Sequence, residues 1–594
     1  MNHLIDLSVL VLGLGESGLA MARWCARFGA RVQVWDSRDH PPQAAALREA
    51  VPSARLRSGM LGADDLAGVQ LVLKSPGLAP CDARIAPLLD AVRDRGIALG
   101  GELDLFIRAL VDLKADRGYA PKVLAITGTN GKTTTTAMCA LLVARCGLQV
   151  AVAGNIGPTM LDTLADALDL EPALPAPTAE DLVKPVIEPA VEPLPGAEST
   201  AEPVAPAIDG DAPAMAPAEA VEGVLLPVDD APLQLAPPAP ATPVFAHLPE
   251  VWVLELSSFQ LDAVRGFEPS ASAVLNVTQD HLDWHGSMDA YAAAKSRVFG
   301  SQGVMVINRD DLRVEAMVPA PVFVKGGRGR PSVSAGPKVV RFGLDAPQRP
   351  GDFGLVVENG MAWLVRAREV DETLSRRKPG RGDGADDEIV LQRLMPADAL
   401  RVRGRHNAAN ALAALALTTA IGCPLNALLH GLREYRGEPH RVEFIARVGE
   451  VDVFDDSKGT NVGATVAALL GLGADQAPAR LVVILGGDGK GQDFSPLADP
   501  VARHARAVAL IGRDAGTIAT VLAGDAAADR VPRQHHDSLE AAVAWCFNQA
   551  RPGDAVLLSP ACASLDMFRN YGHRAEVFVA AVQALAAEHG EAVL

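Results

Sequence analysis

Lys132 and Thr133 stand where phosphate chemistry is most easily done. They follow a glycine turn, Gly128-Thr129-Asn130-Gly131, which closes four apolar residues, Val123–Ile126. A buried strand, a glycine turn and a helix start aim backbone N–H groups at one point, and that makes an anion cradle. Lys132 can reach terminal phosphate oxygens, and the Thr133 hydroxyl can ligate Mg²⁺. The full G-x-x-x-x-G-K-[ST] spacing is not met, because Ile126 stands where the first glycine would be. The turn therefore reads as a shortened phosphate loop. The competing reading is an ordinary strand–turn–helix corner with a solvated lysine.

A second glycine turn, Gly13-Leu14-Gly15-Glu16-Ser17-Gly18, follows the apolar run Val9–Leu12. With a helix over Leu19–Phe28 and a strand Arg31–Trp35 ending at Asp36, it has the form of a dinucleotide fingerprint. The same turn can hold any diphosphate. Other candidates sit at the ends of apolar runs. Glu255 ends Val251–Leu254 and is either a Mg²⁺ ligand or a helix-capping carboxylate. His281 lies in an Asp-rich turn, where a hydrogen-bonding role is the plainer reading, and Lys295 lies on a helix, where a lysine is solvated by default. The Ser559–Ser564 loop contains Cys562, but spacing supplies no partner histidine, so it reads as a carboxylate or phosphate loop.

These residues need elements to hold them. The chain has 594 residues, too many for one core, which sets a prior of three or four domains. Apolar runs ending in polar or glycine-rich loops recur at Leu71–Leu73, Val150–Ala153, Ala273–Leu275, Val304–Ile307, Val451–Phe454, Leu481–Leu485, Ala507–Ile511 and Ala555–Leu558. That is the pattern of open parallel sheets, whose carboxyl edges bind ligands. The expected architecture is α/β in three units: 1–112 Rossmann-like, 113–437 built on the phosphate loop, and 438–594 again Rossmann-like. From Asp166 to Pro249 the chain is rich in Pro, Ala, Glu and Val, with Lys184 its only Lys or Arg. Frequent prolines stop helix and sheet alike, so 166–242 reads as a disordered insertion, and the charged stretch Ser375–Asp387 as an exposed loop. The net charge of −18 argues against non-specific nucleic-acid binding. Seven cysteines without a C-x-x-C pair point to free thiols in a reducing cytoplasm. No stretch is long enough to span a membrane.

The chain resembles the muramyl ligase (Mur ligase) superfamily. The resemblance rests on an ordered set: GLGESG (13–18), SPG (75–77), AITGTNGKTTT (125–135), GNIG (154–157), LELSSFQL (254–261), NVTQDHLD (276–283), YAAAKSRVF (291–299), GRHNAANALAA (404–414), EPHRVE (438–443), DDSKGTNVGAT (455–465), LGGDGKGQDFSPL (485–497) and SPACASLDMF (559–568). It covers nearly the whole chain apart from the insertion and the 375–387 loop. It implies a UDP-substrate domain, a central ATPase domain and a C-terminal domain for amino acid and nucleotide. The implied reaction is ATP-dependent amide formation in peptidoglycan precursor synthesis, through an acyl phosphate. UDP-N-acetylmuramoyl-L-alanine and D-glutamate would be the substrates and the cytoplasm the compartment, with a monomer expected.

By motif, the resemblance assigns Gly128, Thr129, Asn130, Gly131, Lys132, Thr133, Thr134, Asn407, Asn410, Arg441, Asp456 and Lys458 to ATP. Ser17, Asp36, Ser37, Arg38, Ser75 and Asn155 go to the UDP substrate, and Thr460, Lys490, Ser564, Leu565 and Tyr571 to D-glutamate. Two Mg²⁺ sites are implied, one on Thr133 and Glu255 and one on His281 and Lys295, with Lys295 as its CO₂ carbamate. Lys132, His281 and Lys295 are the implied catalytic residues. Thr133 stands where a familiar relative has Ser, and Tyr571 where Phe is expected. The alternatives are a sibling ligase for another amino acid, a folylpolyglutamate synthase, an NAD-dependent oxidoreductase built on 1–112, and a non-catalytic scaffold using the proline-rich segment. The fingerprint domain argues against the folate enzyme, and intact Lys132, Glu255, His281 and Lys295 argue against a scaffold.

Overall fold

The computed structural model describes residues 1–172, 244–320, 323–325, 331–333, 336–370 and 389–588. Three large sheets organise them. The first has five parallel strands, with Ser8–Leu12 at its centre between Arg31–Trp35 and Leu71–Lys74, and with Arg55–Arg57 and Ala98–Gly100 at the edges. Alternation along the central strand is strict: Val9 and Val11 enter one apolar core and Leu10 and Leu12 the other. A strand covered on both faces needs apolar residues at every position, which is why this run shows no polar alternation.

The second sheet has nine strands. The phosphate-loop strand, Lys122–Thr127, lies between Val251–Glu255 and Ala271–Val274, and Val150–Gly154 forms the outer edge. Pairing is parallel from there through Phe353–Glu358, and the last two strands, Met361–Glu369 and Ile389–Pro396, are antiparallel. The third sheet runs Glu443–Val448, Val451–Asp455, Ala555–Leu558, Leu481–Gly486, Ala505–Ile511, Arg533–His536, with only its first pair antiparallel.

Two expected boundaries move. Helix Glu102–Arg117 crosses position 112 without a break and ends at Gly118, whose φ is +70°. Its Phe106 ring packs 4.9 Å from Trp252 of the central sheet, so the first two regions share one continuous core. The expected insertion also begins later than composition implied. Helix Met160–Leu170 runs through Asp166, capped by the Thr159 hydroxyl and anchored by buried Leu161 and Leu164. Asp169 on its last turn pairs with Arg27 at 2.6 Å. The next residue, Glu171, accepts the amides of Ala246, His247 and Leu248 at 2.7–2.9 Å, so positions 171 and 246 are neighbours. Residues 173–242 and the 375–387 loop lie outside the described residues. Among the described residues no helix is long and apolar enough to cross a membrane.

Glycine is obligatory where strands end tightly. A Cβ on Gly486, at φ +126°, would lie 1.9 Å from the Ile511 carbonyl oxygen. Gly486→Ala is expected to destabilise the C-terminal region by about 2 kcal/mol or more. Urea unfolding followed by near-UV signal would measure it, and a wild-type midpoint would contradict the close approach.

Candidate functional site

Parallel register brings three loops to one edge of the central sheet. Ile126 pairs with Glu255, Gly154 with Glu255, and Thr127 with Val274. The phosphate loop, Glu255, the Gly154–Gly157 turn and the segment after Leu275 are therefore adjacent. Asn276 locks the loop from the side: its Oδ1 accepts the Asn130 amide at 2.8 Å and its Nδ2 donates to the Asn130 carbonyl at 3.0 Å. Thr129 Oγ1 donates to the Thr278 carbonyl at 3.1 Å and lies 3.2 Å from the Tyr291 hydroxyl. Gly131 sits at φ +82°, where a Cβ would come within 2.5 Å of Asn410 Oδ1.

Two lysines converge on this loop, Lys132 half-buried and Lys295 buried. Lys132 Nζ donates to the Gly128 carbonyl at 3.0 Å and to the Thr129 carbonyl at 2.9 Å. Lys295 Nζ donates to the same Gly128 carbonyl at 2.8 Å and lies 4.4 Å from the Tyr291 ring centre. Burial drives both pKa values down. The Lys132 charge further lowers Lys295, and Glu255 opposes the shift at both. Lys295 is thus no solvated lysine. Glu255 is buried as well; its Oε1 accepts from Asn155 Nδ2 at 2.8 Å and its Oε2 has no partner. The Thr133 hydroxyl receives the Arg441 guanidinium. An unpartnered carboxylate oxygen and a hydroxyl are hard oxygen donors, the kind Mg²⁺ prefers. His281 adopts φ +53° with its ring 4.7 Å from Phe259. Burial lowers its pKa, with Asp280 opposing.

The C-terminal region closes the other side. Asn130 and Asn461 exchange side-chain amide bonds at 3.1 and 3.3 Å, and Asn461 Oδ1 also caps helix Val462–Gln476 through the Ala464 amide at 2.9 Å. Between the two regions lies a cavity of about 320 Å³ lined by Asn130, Gly131, Thr134, Asn407, Asn410, Arg441, Asp456 and Lys458. A larger cleft of about 710 Å³ beside it shares Asn407, Arg441 and Val442 but no residue of the phosphate loop. Asp456 is buried, accepts from Ser559 Oγ at 2.6 Å, and is pushed up to about 7 by burial, against that hydrogen bond and the Arg441 charge.

The remaining candidates form two further groups. Lys490 and Ser564 occupy loops joined by reciprocal Asp488–Ala563 backbone bonds at 2.9–3.0 Å. Lys490 and Leu565 are exposed, and the Thr460 amide donates to the Lys458 carbonyl at 2.8 Å. Tyr571 lies under Lys458, 3.8 Å from ring centre to Nζ, so it touches a residue that the resemblance assigns to ATP rather than to D-glutamate. In the first sheet, Ser75 Oγ donates to the Gly13 carbonyl at 3.0 Å. Asp36 Oδ2 accepts the Leu14 amide of the glycine turn at 2.7 Å, and both its oxygens accept the Arg38 guanidinium at 2.8–2.9 Å. Burial alone would raise this carboxyl; the bonds from Arg38 and Leu14 bring it to about 2. Ser37 is half-buried beside it. Ser17 hydrogen-bonds Glu102, a buried carboxylate that also accepts the Met160 and Leu161 amides at 2.6 and 3.2 Å.

Several residues of this site escaped the sequence reading. Glu102, Asn276, Tyr291, His440 and Asn461 were not singled out, although all but Glu102 lie inside the quoted motifs. His440, at φ +63°, pairs through Nδ1 with buried Asp455 at 2.7 Å and so orients the neighbouring Arg441.

The sheets and site define a three-domain α/β protein whose central domain carries a phosphate loop. Family profiles match all three parts: the Mur ligase MurD-like N-terminal domain at 7–101, the Mur ligase middle domain at 126–191 and 244–323, and the Mur ligase glutamate ligase domain at 440–562. The chain belongs to the Mur ligase family. It is 53% identical over 594 residues to the UDP-N-acetylmuramoylalanine--D-glutamate ligase of Albidiferax ferrireducens, covering 100% of this chain and 99% of that one. Proteins of the same name from Polaromonas sp. and Burkholderia pseudomallei are 46% and 50% identical, over 99% and 98% of this chain and 100% and 98% of theirs. The middle-domain match breaks between 191 and 244, inside the stretch that composition marks as inserted.

The unfolded chain releases the Asp456 proton near 3.8, whereas the fold retains it to about 7. Asp456 therefore takes stability away as pH rises through that window. For Asp456→Asn, the melting temperature relative to wild type should rise between about pH 4 and about pH 7 and level off above. A difference flat across that range would refute the raised carboxyl.

Proposed function

We propose that this protein is an ATP-dependent ligase that joins D-glutamate to UDP-N-acetylmuramoyl-L-alanine in the cytoplasm, acting as a monomer. The observation that carries the reading is the convergence of Lys132, Lys295 and Glu255 on the phosphate loop, beside a cavity shared with the C-terminal domain. Full-length identity to relatives bearing the D-glutamate ligase name supports the choice of amino acid. The seven free cysteines agree with a reducing compartment.

A carboxylate is a poor electrophile, so the reaction needs two stages. The substrate carboxylate oxygen attacks the ATP γ-phosphorus, the bond to ADP breaks, and an acyl phosphate forms. The D-glutamate amine then attacks the acyl carbon and loses a proton, and phosphate leaves from the tetrahedral intermediate. Loop amides and Lys132 hold the phosphates and offset charge on the transferring group. Asn407, Asn410, Arg441, Asp456 and Lys458 hold the rest of the nucleotide. Asn155, tied to Glu255, orients the muramoyl end. Ser17, Asp36, Ser37, Arg38 and Ser75 form the seat for the uridine diphosphate end. Thr460, Lys490, Ser564, Leu565 and Tyr571 receive D-glutamate, with the Lys490 charge meeting a carboxylate.

Thr133 and Glu255 would hold one Mg²⁺, and His281 with carbamylated Lys295 a second; when bound, the ions neutralise phosphate charge. The unpartnered Glu255 oxygen supports the first site. The lowered pKa of Lys295 supports the carbamate, because only the neutral amine attacks CO₂. That adduct replaces one of two adjacent cations with oxygen donors.

Phosphate release from ATP with UDP-N-acetylmuramoyl-L-alanine is expected with D-glutamate and not with L-glutamate or other amino acids. Release with a different amino acid would overturn the assigned substrate. Lys132→Ala should lower turnover roughly 100-fold or more in folded protein, and near-normal turnover would remove the phosphate-loop role. Lys295→Ala should lose activity and regain it with added short-chain carboxylates; full activity without them would refute the carbamate.

A further inference from the structure

Lys74 is a half-buried cation that meets no anion among the described residues. It ends the strand Leu71–Lys74, directly paired with Leu12, the last residue before the first glycine turn. Its Nζ donates to the Leu78 carbonyl at 2.8 Å and lies 3.4 Å from the Ser75 carbonyl oxygen. It also lies 5.4 Å from the Trp284 ring centre, across the junction with the central domain. Among the described residues no carboxylate lies within ion-pair distance of it. Asp262, whose charge acts on it, is paired with Arg297 at 3.3 Å. Burial brings the Lys74 pKa down to about 8, with Asp262 opposing. A cation drawn partly out of water and bonded only to neutral carbonyls is better compensated when an anion arrives.

The surroundings say which anion fits. The Ser75–Leu78 loop that Lys74 folds over is the loop packed on the glycine turn: Ser75 Oγ bonds the Gly13 carbonyl at 3.0 Å, and a Cβ on Gly13 would meet Ser75 and Leu78 at 3.0–3.1 Å. A Cβ on Gly15 would meet nothing within 4 Å, so this turn presents open backbone at a helix start, which suits phosphate oxygens. Toward the catalytic centre, Trp284 packs 4.9 Å from Phe259, which packs 4.7 Å from His281. Lys74 therefore stands between the glycine turn and the reacting end, along the line a uridine-linked substrate must take.

We infer that Lys74 is a further substrate-binding residue, its ammonium leaving the Leu78 carbonyl to donate to the diphosphate of the uridine nucleotide. The inference rests on the functional reading above. It adds a cationic contact to a turn whose own acid, Asp36, is engaged by Leu14 and Arg38 and carries the wrong charge to meet a diphosphate. Because the ammonium bridges the diphosphate and the Trp284 wall, it also fixes how far the muramoyl arm extends toward Lys132 and Lys295.

The test is calorimetric titration of the full-length protein with UDP-N-acetylmuramoyl-L-alanine and with UDP, in wild type, Lys74→Met and Trp284→Leu. Lys74→Gln serves if Met disturbs folding, with binding of a non-hydrolysable ATP analogue as the control for a native centre. Loss of a charge-assisted hydrogen bond should weaken both uridine ligands by about 10- to 100-fold in the Lys74 variant, with ATP-analogue binding unchanged. Trp284→Leu should keep UDP affinity within about threefold, since the ring guides the lysine without touching phosphate. Unchanged UDP affinity in the Lys74 variant overturns the inference. So does a loss confined to the alanyl substrate, which would move the contact to its carboxylate, or an equal loss in Trp284→Leu, which would make Lys74 a domain latch. Wild-type protein that binds neither ligand would instead overturn the functional reading.

Discussion

The Gly128 carbonyl accepts two lysines, and much of the site follows from that. Lys132 comes from the helix after the loop and Lys295 from a helix far along the chain, and desolvation lowers the pKa of both. Two adjacent ammonium groups repel and are poorly solvated, so the arrangement favours a neutral Lys295 or one converted to an anion. Glu255 at the end of the next strand supplies negative charge, with one oxygen left open. The loop must stay rigid to hold this, and Asn276, Thr278 and Tyr291 lock it from the side.

The same constraint explains the domain seams. Between the central and C-terminal regions the contacts are polar: the Asn130–Asn461 amide pair and the Arg441–Thr133 contact. Each bond is replaceable by water or ligand, which suits a cleft that has to admit a nucleotide. Between the N-terminal and central regions the seam is apolar, with Phe106 against Trp252 in one continuous core. An apolar seam of that kind fixes the distance between the two sheets. Glu102 strengthens it by tying Ser17 of the glycine turn to the helix that follows Gly154–Gly157.

The family resemblance and the physical reading meet at particular residues. Glu255 and Lys295, ambiguous as isolated residues, become unusual once buried together. Asp36 moves the other way: it looks like a ligand acid at a strand end, yet its oxygens close the turn on Leu14 and Arg38. Tyr571, assigned by motif to the amino-acid pocket, lies against Lys458 of the nucleotide set.

By itself the sequence determined the local pieces: which runs are strands buried on both faces, which turns need glycine, and that strand after strand ends in a polar loop. Those features depend on side-chain period and backbone freedom, both readable over a few residues. Even there, composition set the start of the insertion at Asp166, whereas buried Leu161 and Leu164 hold a helix through Leu170, up to the first proline of the stretch at Pro172. Likewise it could not see that Glu102–Arg117 is one unbroken helix across position 112. Only the tertiary structure decided which loops meet. The pairing of Ile126 with Glu255, the arrival of Lys295 at Gly128, the Asn130–Asn461 exchange and the approach of Lys74 to Trp284 all depend on strand order and helix docking between residues distant in sequence. Charge, burial and orphaned polar atoms exist only once those distances are set.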